Sequence, residues 1–408
     1  MEASFTASSA RDDNAPSPAR EGAKPLTVLQ VLPRLDLGGV ERGAVEIARA
    51  VAEAGGRAIV ASAGGRLEGR LAAAGVEHVF GPFASKGPLT ILSNARRLET
   101  LIAAEDVDVV HARSRAPGWS ALIAARRTGR PFVTTWHGVY GGRGPLKRLY
   151  NAVMAKGRPV IAVSGFIAEM VAERHGVPPD QIVTIPRGAD MAAFSEEAVS
   201  AARAIAVATD WGLVEDPRPV ALLPGRLSRW KGQEDFVEAA ARLKARRGPD
   251  FLAMIVGDDG GAMGERLLRR AEALGALDVV RVAAACDDMP AAYKLAAVVV
   301  SASTAPEAFG RVAVEGMAMG RPVIATDHGG ARETVEHERT GWLYPPGDVA
   351  ALAEALDRAL SLDASARAHM GMAGRARVAN LFTVSAMQQR TLAVYERVAG
   401  RRFGAWTE

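Results

Sequence analysis

Residues 298–318 read VVVSASTAPEAFGRVAVEGMA, and this stretch decides the fold. Its β-branched beginning, Val298–Ser301, predicts a short buried strand. A loop containing Pro306 follows, and apolar periodicity over Arg311–Met319 then predicts a helix. A strand, a loop and a helix in this order form one βα unit of a parallel sheet.

The same alternation runs along most of the chain. In the first half, strands are predicted at Thr27–Leu32, Arg57–Ala61, His78–Phe80, Val107–His111, Phe132–Trp136, Val160–Val163 and Ile182–Ile185, with helices such as Glu41–Ala54 and Gly118–Arg127. In the second half, strands are predicted at Val220–Pro224, Phe251–Val256, Val279–Val282, Val298–Ser301 and Val323–Ala325, with helices at Gln233–Arg246, Gly264–Leu274, Arg311–Met319, Val349–Leu360 and Ala364–Ala379. This pattern predicts an α/β protein with two doubly wound, Rossmann-like domains.

The length of 408 residues is too great for one compact core and suits two domains. We predict a disordered tail at 1–25, an N-terminal Rossmann-like domain at 26–190, a linker at 191–216, a C-terminal Rossmann-like domain at 217–382, and a final helical segment at 383–408 in position to cross back to the N-terminal domain. Ligands of such folds bind beyond the carboxyl ends of the strands. We therefore expect the two domains to face a cleft lined by residues that directly follow strands.

Composition narrows the class of protein. No apolar run approaches the roughly 20 residues that a membrane-spanning helix needs, and no apolar segment of the signal-peptide type follows Met1. The single cysteine, Cys286, excludes an internal disulfide. These features predict a cytoplasmic protein.

Charge is unevenly distributed between the two halves. Residues 26–190 hold 21 Lys and Arg against 14 Asp and Glu, whereas residues 191–408 hold 26 against 28. The basic half either faces an anionic partner, such as a membrane surface or a phosphorylated acceptor, or reflects ordinary scatter. Nucleic acid is not expected as a partner, because aromatic residues make up only 5% of the chain and no recognition motif is present.

The loop and helix start after Val298–Ser301 suit a phosphorylated sugar. Unpaired backbone N–H groups at the helix start favour an anion, and Gly310 removes the Cβ that would block its approach. Glu307 lies in the loop, within reach of a sugar hydroxyl, and Glu315 lies further into the helix, where ribose hydroxyls would suit a core-facing carboxylate. The alternative is an N-cap acid and a surface helix acid without a ligand.

The surrounding sequence, PEAFGRVAVEGMAMGRPVIATDHGGARETV at 306–335, resembles the signature of the large Glu-x7-Glu family of retaining glycosyltransferases with the GT-B fold. The resemblance is strongest to bacterial enzymes of lipopolysaccharide core and exopolysaccharide assembly, and it covers nearly the whole chain after residue 25. It implies that Glu307 contacts the donor sugar and that Glu315 binds ribose. It also implies that the backbone after Glu307, at Phe309, Gly310 and Arg311, contacts the donor phosphates or sugar.

A second motif, LPGRLSRWKG at 223–232, follows the first strand of the second domain. Arg226 and Lys231 would emerge near the carboxyl edge of the sheet, where two cations can neutralise a leaving diphosphate. Taken alone, the motif favours a basic turn without a ligand. It is similar to the Gly-Arg…Lys-Gly pair of the family, which implies a pyrophosphate-holding role.

Further candidates follow other strands. Gly38 and Gly39 begin the first helix and are similar to the glycine loop of the family, which faces phosphate or acceptor. Gly329 and Gly330 follow Val323–Ala325 and correspond to a family segment near the donor sugar and diphosphate. His137 directly follows Phe132–Trp136, where the family commonly has a histidine near the donor sugar.

Three more polar residues each allow two interpretations. His111, after VDVV, is either structural or lines the cleft. Glu333 is either part of the donor segment or a first-turn acid that complements a helix dipole. Arg187 replaces the asparagine of the usual hinge motif and adds a cation for an acidic acceptor or the donor phosphate.

No metal or other cofactor is expected. The acid pairs Asp258-Asp259 and Asp287-Asp288 are interpreted as surface acids, and Asp258-Asp259 also stands in the altered GDG loop of the family. Cationic side chains and helix dipoles would take the place of a metal at the diphosphate.

The resulting hypothesis is a retaining hexosyltransferase that uses a nucleotide diphosphate sugar, with GDP-mannose and UDP-hexoses both compatible. The acceptor is expected to be a glycan or glycolipid of lipopolysaccharide core or surface polysaccharide. Residues 141–150, GGRGPLKRLY, are either a weak contact with the anionic inner membrane or a solvated loop. Alternatives are an epimerase or phosphorylase of the same shape, or a non-catalytic protein that binds sugar nucleotides.

Overall fold

The computed structural model describes residues 24–36, 38–141, 144–258 and 261–404. Most of the predicted tail at 1–25, and the last four residues of the predicted final segment, lie outside the described residues. The chain divides into two compact units. Unit 1 comprises Met1–Thr134, Lys156–Pro159 and Arg390–Glu408, and unit 2 comprises Thr135–Ala155 and Val160–Gln389. The domain limits given above stay a prediction.

The first sheet is parallel, with strand order β3-β2-β1-β4-β5-β6-β7. Its strands are β1 (Thr27–Val31), β2 (Arg57–Ser62), β3 (Glu77–Phe80), β4 (Val109–Ala112), β5 (Phe132–Trp136), β6 (Val160–Ala162) and β7 (Ile182–Thr184). The helices between them are α1 (Gly39–Glu53), α2 (Glu68–Ala73), α3 (Pro88–Ala104), α4 (Arg115–Thr128), α5 (Pro145–Ala152) and α6 (Gly165–His175). Every residue of β1 is buried, as expected for a central strand of a parallel sheet covered by helices.

The second sheet is also parallel, with strand order β10-β9-β8-β11-β12-β13. Its strands are β8 (Val220–Pro224), β9 (Leu252–Val256), β10 (Val280–Ala283), β11 (Ala296–Ser301), β12 (Val323–Thr326) and β13 (Gly341–Tyr344). Its helices and the flanking ones are α7 (Ala201–Asp210), α8 (Gln233–Arg247), α9 (Ala262–Ala273), α10 (Met289–Leu295), α11 (Arg311–Ala318), α12 (Ala331–Thr334), α13 (Val349–Leu360), α14 (Ala364–Leu381) and α15 (Val384–Ala399).

Apolar residues at helical spacing bury one face of the second sheet. Phe236 and Leu243 on α8, and Leu352 and Leu356 on α13, are fully buried in one cluster with Ile255 of β9. The spacings of seven and four residues place each pair on one side of its helix. This packing holds the sheet rigid and fixes the loops at its carboxyl edge.

The predicted α/β class, with two Rossmann-like doubly wound sheets, is confirmed. The predicted strands agree with the observed ones to within two residues at each end, but β13 was not predicted. The solvated-loop interpretation of 141–150 is wrong for Pro145–Tyr150, which form most of α5. Gly142 and Arg143 of that segment lie outside the described residues. None of the described helices has the length and apolar character required to cross a bilayer.

Candidate active site

The second sheet has a topological switch point between β8 and β11. From β8 the strand order runs through β9 and β10 on one side, and from β11 through β12 and β13 on the other. The loops that leave these two neighbouring strands diverge, and a crevice opens at the carboxyl edge between them. Arg226 and Lys231 follow β8, and Glu307 follows β11. The topology therefore brings the sequence-predicted cations and the first glutamate to the same edge.

Backbone contacts join the two loops. Residues Arg229–Lys231 form a 3₁₀ helix, and Gly232 follows with φ +71°. A Cβ at Gly232 would lie 1.9 Å from the carbonyl oxygen of Ala302, so only glycine permits this approach. The amide of Thr304 also donates to the carbonyl oxygen of Trp230 at 2.8 Å. The loop after β8 is thus fixed against the loop after β11.

Lys231 and Glu307 form an ion pair at this junction. The Lys231 ammonium lies 2.7 Å from a carboxylate oxygen of Glu307, and the two side chains are only 17% and 14% exposed. The hydroxyl of Ser303 donates to the same oxygen of Glu307. The interpretation of Glu307 as an N-cap acid is wrong, because Gly310 is the N-cap of the helix that follows.

The pKa of Glu307 lies below the usual glutamate value. Burial of the carboxylate is the largest influence and would raise the pKa, but the charge of Lys231, the hydrogen bonds from Lys231 and Ser303, and the charge of His328 together outweigh it. A ring nitrogen of His328, Nε2, lies 2.9 Å from the carbonyl oxygen of Ser303 and so donates to it. Glu307 is therefore held ionised, as a hydrogen-bond acceptor.

Gly329 and Gly330 pack directly on the backbone around Glu307. Gly329 has φ +58°, and a Cβ there would lie 2.5 Å from the carbonyl oxygen of Glu307. A Cβ at Gly330 would lie 2.5 Å from the Cα of Phe309, and the Gly330 amide donates to the Glu307 carbonyl at 2.9 Å. We call Lys231, Ser303, Glu307, His328, Gly329 and Gly330 the switch-point cluster.

The helix that follows the cluster begins as predicted. Gly310 is the N-cap of α11, with φ +89°, and no side chain caps the helix start. Phe309 is buried, with its ring 5.6 Å from the ring of Phe382. Arg311 is the first residue of α11. The N–H groups at this helix start lie at the positive end of the helix dipole.

Glu315 is buried inside α11, not a surface acid. Its side chain is 8% exposed, its Oε1 lies 3.4 Å from the Arg311 Nε one turn earlier, and its Oε2 accepts from the Tyr293 hydroxyl at 3.1 Å. Tyr293, on α10, was missed by sequence reasoning, because an isolated tyrosine in an apolar helix gives no signal.

Ser164 contacts the loop of Glu307, and Glu333 contacts the start of α6 beside Ser164. The Ser164 hydroxyl donates to the Ala308 carbonyl at 2.5 Å, and the carboxylate of Glu333 accepts from the amides of Gly165 and Phe166 at 2.8 and 2.6 Å. Glu333 lies in the first turn of α12, as one interpretation expected, and its carboxylate also complements the dipole of α6. The role of Ser164 was missed, although it directly follows a strand, as the rule for such sites requires.

His137 and Arg187 are brought together in unit 2. His137 directly follows β5, and its Nδ1 lies 2.9 Å from a terminal nitrogen of Arg187. Arg187 is 6% exposed.

The other predicted residues have simpler surroundings. Arg226 is exposed, and no side-chain partner is found for it among the described residues. Gly38 and Gly39 belong to unit 1, where Gly38 is the N-cap of α1 and the Glu41 carboxylate folds back to 2.1 Å from where a Cβ of Gly38 would be. His111 is fully buried, with its Nδ1 2.6 Å from the Tyr395 hydroxyl, which favours the structural interpretation.

Acidic pairs contribute no evident cation site within the described ranges. Asp288 caps α10 and pairs with Arg203 at 2.7 Å. Asp259 and Gly260 of the altered GDG loop lie outside the described residues. Nowhere in the described part of the chain do three or more His, Cys, Asp or Glu side chains gather as metal ligands.

Two known family models match the two halves of the chain. The family model described as Glycosyl transferases group 1 matches residues 211–377, and the model described as Glycosyltransferase Family 4 matches residues 37–193. The chain belongs to the group 1 glycosyltransferases with the GT-B fold, and it is an enzyme that uses a nucleotide sugar.

Two curated relatives illustrate the range of the family. The chain is 31% identical over 334 residues to a D-inositol 3-phosphate glycosyltransferase of Salinispora tropica, covering 75% of this chain and 67% of that protein. It is 32% identical over 295 residues to a GDP-mannose-dependent alpha-(1-6)-phosphatidylinositol monomannoside mannosyltransferase of Mycolicibacterium smegmatis, covering 69% and 74%.

Two solved structures are similar over nearly their whole length. A glycosyltransferase from Rickettsia africae has a TM-score of 0.84 and 34% identity, with 92% of this chain and 99% of that chain covered. Anabaena Alr3699/HepE, solved in complex with UDP and glucose, has a TM-score of 0.78 and 25% identity, with 90% and 99% covered.

Proposed function

We propose that this enzyme is a retaining hexosyltransferase that moves a mannose- or glucose-type sugar from a nucleotide diphosphate to a hydroxyl of a glycan or glycolipid. The observation that carries the proposal is the Lys231–Glu307 ion pair at 2.7 Å, beside the uncapped start of α11 at a sheet switch point. A cation, a carboxylate and the start of a helix at one edge suit a ligand that is anionic at its phosphates and hydroxyl-rich at its sugar.

Each group has a proposed role in the transfer. Lys231, the exposed Arg226 and the amides at Gly310 and Arg311 neutralise the charge that collects on the leaving diphosphate. Glu307 accepts a hydrogen bond from a hydroxyl of the donor sugar, because its ionised carboxylate can only accept. Glu315 accepts from ribose hydroxyls.

The proposed chemistry keeps the configuration at the anomeric carbon. The bond between the anomeric carbon and the diphosphate oxygen breaks as the acceptor oxygen forms its bond on the same face. The acceptor proton passes to the departing phosphate oxygen. These steps require no metal or organic cofactor, since Lys231, Arg226 and the helix start supply the positive charge.

The donor and acceptor are narrowed by chemistry and by the relatives' names. Both GDP-mannose and UDP-glucose remain candidate donors, since one relative is named as GDP-mannose-dependent and one neighbour was solved with UDP and glucose. We propose an acceptor of lipopolysaccharide core or surface polysaccharide, with phosphorylated cyclitol acceptors of the kind named in the Salinispora protein as the competing class.

A donor screen followed by product analysis tests the proposal. Thermal-shift titration with GDP-mannose, UDP-glucose, UDP-galactose and the free nucleotides identifies the donor, and NMR of the product formed on truncated glycolipid, inositol phosphate and phosphatidylinositol mannoside acceptors gives the linkage. We expect an axial product from an axial donor, and an equatorial product would refute retention. Conversion of the donor without an acceptor, or dependence of turnover on inorganic phosphate, would refute transfer to a glycan or glycolipid.

A matched pair of variants tests the named residues. Lys231→Met should lower kcat by about 10²–10³-fold, as for loss of one group that stabilises transition-state charge. Lys244→Met is the control, because Lys244 also pairs at 2.7 Å, with Asp278, but lies on α8 outside the switch-point cluster. Equal activity of the two variants would remove Lys231 from the mechanism.

We also propose a weak contact between α5 and the inner face of the cytoplasmic membrane. Leu146 and Leu149 are 82% and 61% exposed, and Lys147 and Arg148 are exposed beside them. Exposed leucines beside cations suit a peripheral contact with anionic lipid. Neutralising Lys147 and Arg148 should reduce flotation with anionic liposomes, and unchanged flotation would refute the contact. Neutralising the exposed Arg269 and Arg339 serves as the control.

A further inference from the structure

The pair formed by Arg187 and His137 has a direction that the sequence does not reveal. A guanidinium carries five N–H donors and no acceptor, so the atom that it contacts must accept. The contacted atom is Nδ1 of His137, 2.9 Å from the Arg187 terminal nitrogen. Nδ1 therefore carries no proton, and the proton of the neutral ring is on Nε2.

We propose that Arg187 is a positioning residue that fixes the tautomer and orientation of His137, so that Nε2–H is presented as a hydrogen-bond donor to an oxygen of the nucleotide sugar. The role toward the sugar nucleotide rests on the proposed function, whereas the tautomer depends only on the contact between the two side chains. An imidazolium would place a second N–H against the guanidinium and a like charge beside it, so the contact also selects the neutral ring.

The backbone that directly follows Arg187 is tightly packed. A Cβ at the next residue, Gly188, would lie 2.1 Å from the carbonyl carbon of Thr383, so the backbone is packed too closely for any other residue. Ala189 then exchanges backbone hydrogen bonds with Phe382 and Val384, at 2.9 and 3.1 Å.

The Arg187 side chain is fixed as well. It is 6% exposed, and its second terminal nitrogen lies 3.4 Å from the sulfur of Met387. A rigid backbone and a buried guanidinium give the donor a fixed direction, which a flexible surface arginine could not supply.

His137 is held equally firmly. The preceding Trp136 is fully buried, and its indole nitrogen donates to the Gly138 carbonyl at 2.8 Å, which closes the turn around His137. The Trp136 ring also packs on Tyr140 and His175, with centroids 5.0 and 4.6 Å away. With both partners anchored, the hydrogen bond between them determines which ring nitrogen can donate.

This inference gives Arg187 a role different from direct contact with phosphate or acceptor. The residue would act through His137, as outer hydrogen-bond partners of catalytic histidines do. Asparagine at this position, as in the usual form of the motif, has both donor and acceptor atoms and would not impose one tautomer.

Long-range ¹H–¹⁵N correlation spectra of the histidine rings provide the test on the full chain without any substrate. The chain has seven histidines, and the signal lost in His137→Gln identifies His137. We expect a pyridine-type shift at Nδ1 and a pyrrole-type shift at Nε2 in the wild type. Arg187→Met should give averaged shifts from both tautomers, while Arg187→Lys, which retains a donor-only cation, should keep the wild-type pattern.

His78 serves as the internal reference, since its ring contacts Ser62 in unit 1 and should not respond. A proton on Nδ1 in the wild type, or unchanged His137 shifts in Arg187→Met, would overturn the inference. If Arg187→Met does not fold, a changed tautomer in Arg187→Lys would also overturn it.

Kinetics with the identified donor give the second readout. We expect Arg187→Met to lower kcat about tenfold, the equivalent of one hydrogen bond, with little change in the donor KM, and we expect no further loss when it is combined with His137→Gln. Additive losses would contradict action through His137. Failure of the proposed transferase activity would leave the tautomer result intact, so the two hypotheses can fail separately.

Discussion

Replacing Lys231 by methionine should destabilise unit 2 because Glu307 then loses its buried counter-charge. At an effective dielectric of about 20, unit charges 2.7 Å apart attract by about 6 kcal/mol, and desolvation of the two ions offsets much of this. Removal of one partner leaves the other uncompensated, so we expect a loss of about 3 kcal/mol in the free energy of unfolding.

The expected loss can be measured as a shift in melting temperature. At roughly 2–4 °C per kcal/mol for a unit of this size, Lys231→Met should melt about 6–12 °C below the wild type at pH 7. Lys244→Met removes a pair with exposures of 27% and 48%, and it should shift melting by only about 1–3 °C, because exposed pairs contribute below about 1 kcal/mol. Adding Glu307→Gln to Lys231→Met should recover most of the stability, since neither charge is then left alone.

The difference in melting temperature between Lys231→Met and the wild type should also depend on pH. The lowered pKa of Glu307 means that its stabilising contribution is present above the usual glutamate pKa and is lost as pH falls through the folded-state value. In Lys231→Met the Glu307 carboxylate is buried without that counter-charge, so its protonation at low pH stabilises the variant. The melting temperatures of the variant and the wild type should therefore converge below about pH 4. A Lys231→Met shift no larger than that of Lys244→Met, or one that persists undiminished at low pH, would refute the reasoning.

Three further perturbations test other parts of the site. Gly232→Ala should lower stability by several kcal/mol in a denaturant titration, because the added methyl would meet the Ala302 carbonyl at 1.9 Å and the backbone would be held at φ +71°; a loss below about 1 kcal/mol would show that the loop relaxes. Glu315→Gln should weaken binding of the free nucleoside, measured by calorimetry, about tenfold, as expected for loss of charge from an acceptor of ribose hydroxyls; unchanged nucleoside affinity would give Glu315 a purely structural role. Glu333→Gln should retain the fold but speed hydrogen exchange at the first amides of α6, because a neutral amide accepts more weakly there than a carboxylate; unchanged exchange would mean that the carboxylate does not hold the helix start.

The sheet architecture could be predicted because strand and helix periodicities are local. Val298–Ser301 and Val220–Pro224 have continuous β-branched or apolar character, and each is followed by a glycine-containing turn. The rule that ligands bind after strands made Lys231 and Glu307 candidates, and the resemblance of their motifs to the family favoured them as site residues. Edge strand β13 was not predicted. Gly341, with φ +156°, packs on Val323, and this contact is visible only in the folded structure.

Pairings between distant residues could not be predicted in the same way. Ser164 contacts a residue 144 positions away, and Glu333 reaches α6 across 168 positions. No periodicity records such contacts, since they depend on how separate βα units are placed. The sequence shows that Arg187 replaces the asparagine of the usual motif, but its contact with His137 is seen only in the structure.

Backbone hydrogen bonds and closely packed glycines hold the loops of the switch-point cluster to one another. Gly232, Gly329 and Gly330 approach neighbouring peptide groups more closely than any Cβ allows, and the carbonyls of Trp230 and Glu307 accept amide hydrogen bonds from other loops. Neighbouring positions whose side chains point away from these contacts can therefore vary while the scaffold persists. A substitution library at the loop position Ala305, with the glycines and the contact of the Thr304 hydroxyl with the Trp230 carbonyl retained, is a rational starting point for altering which donor the enzyme prefers.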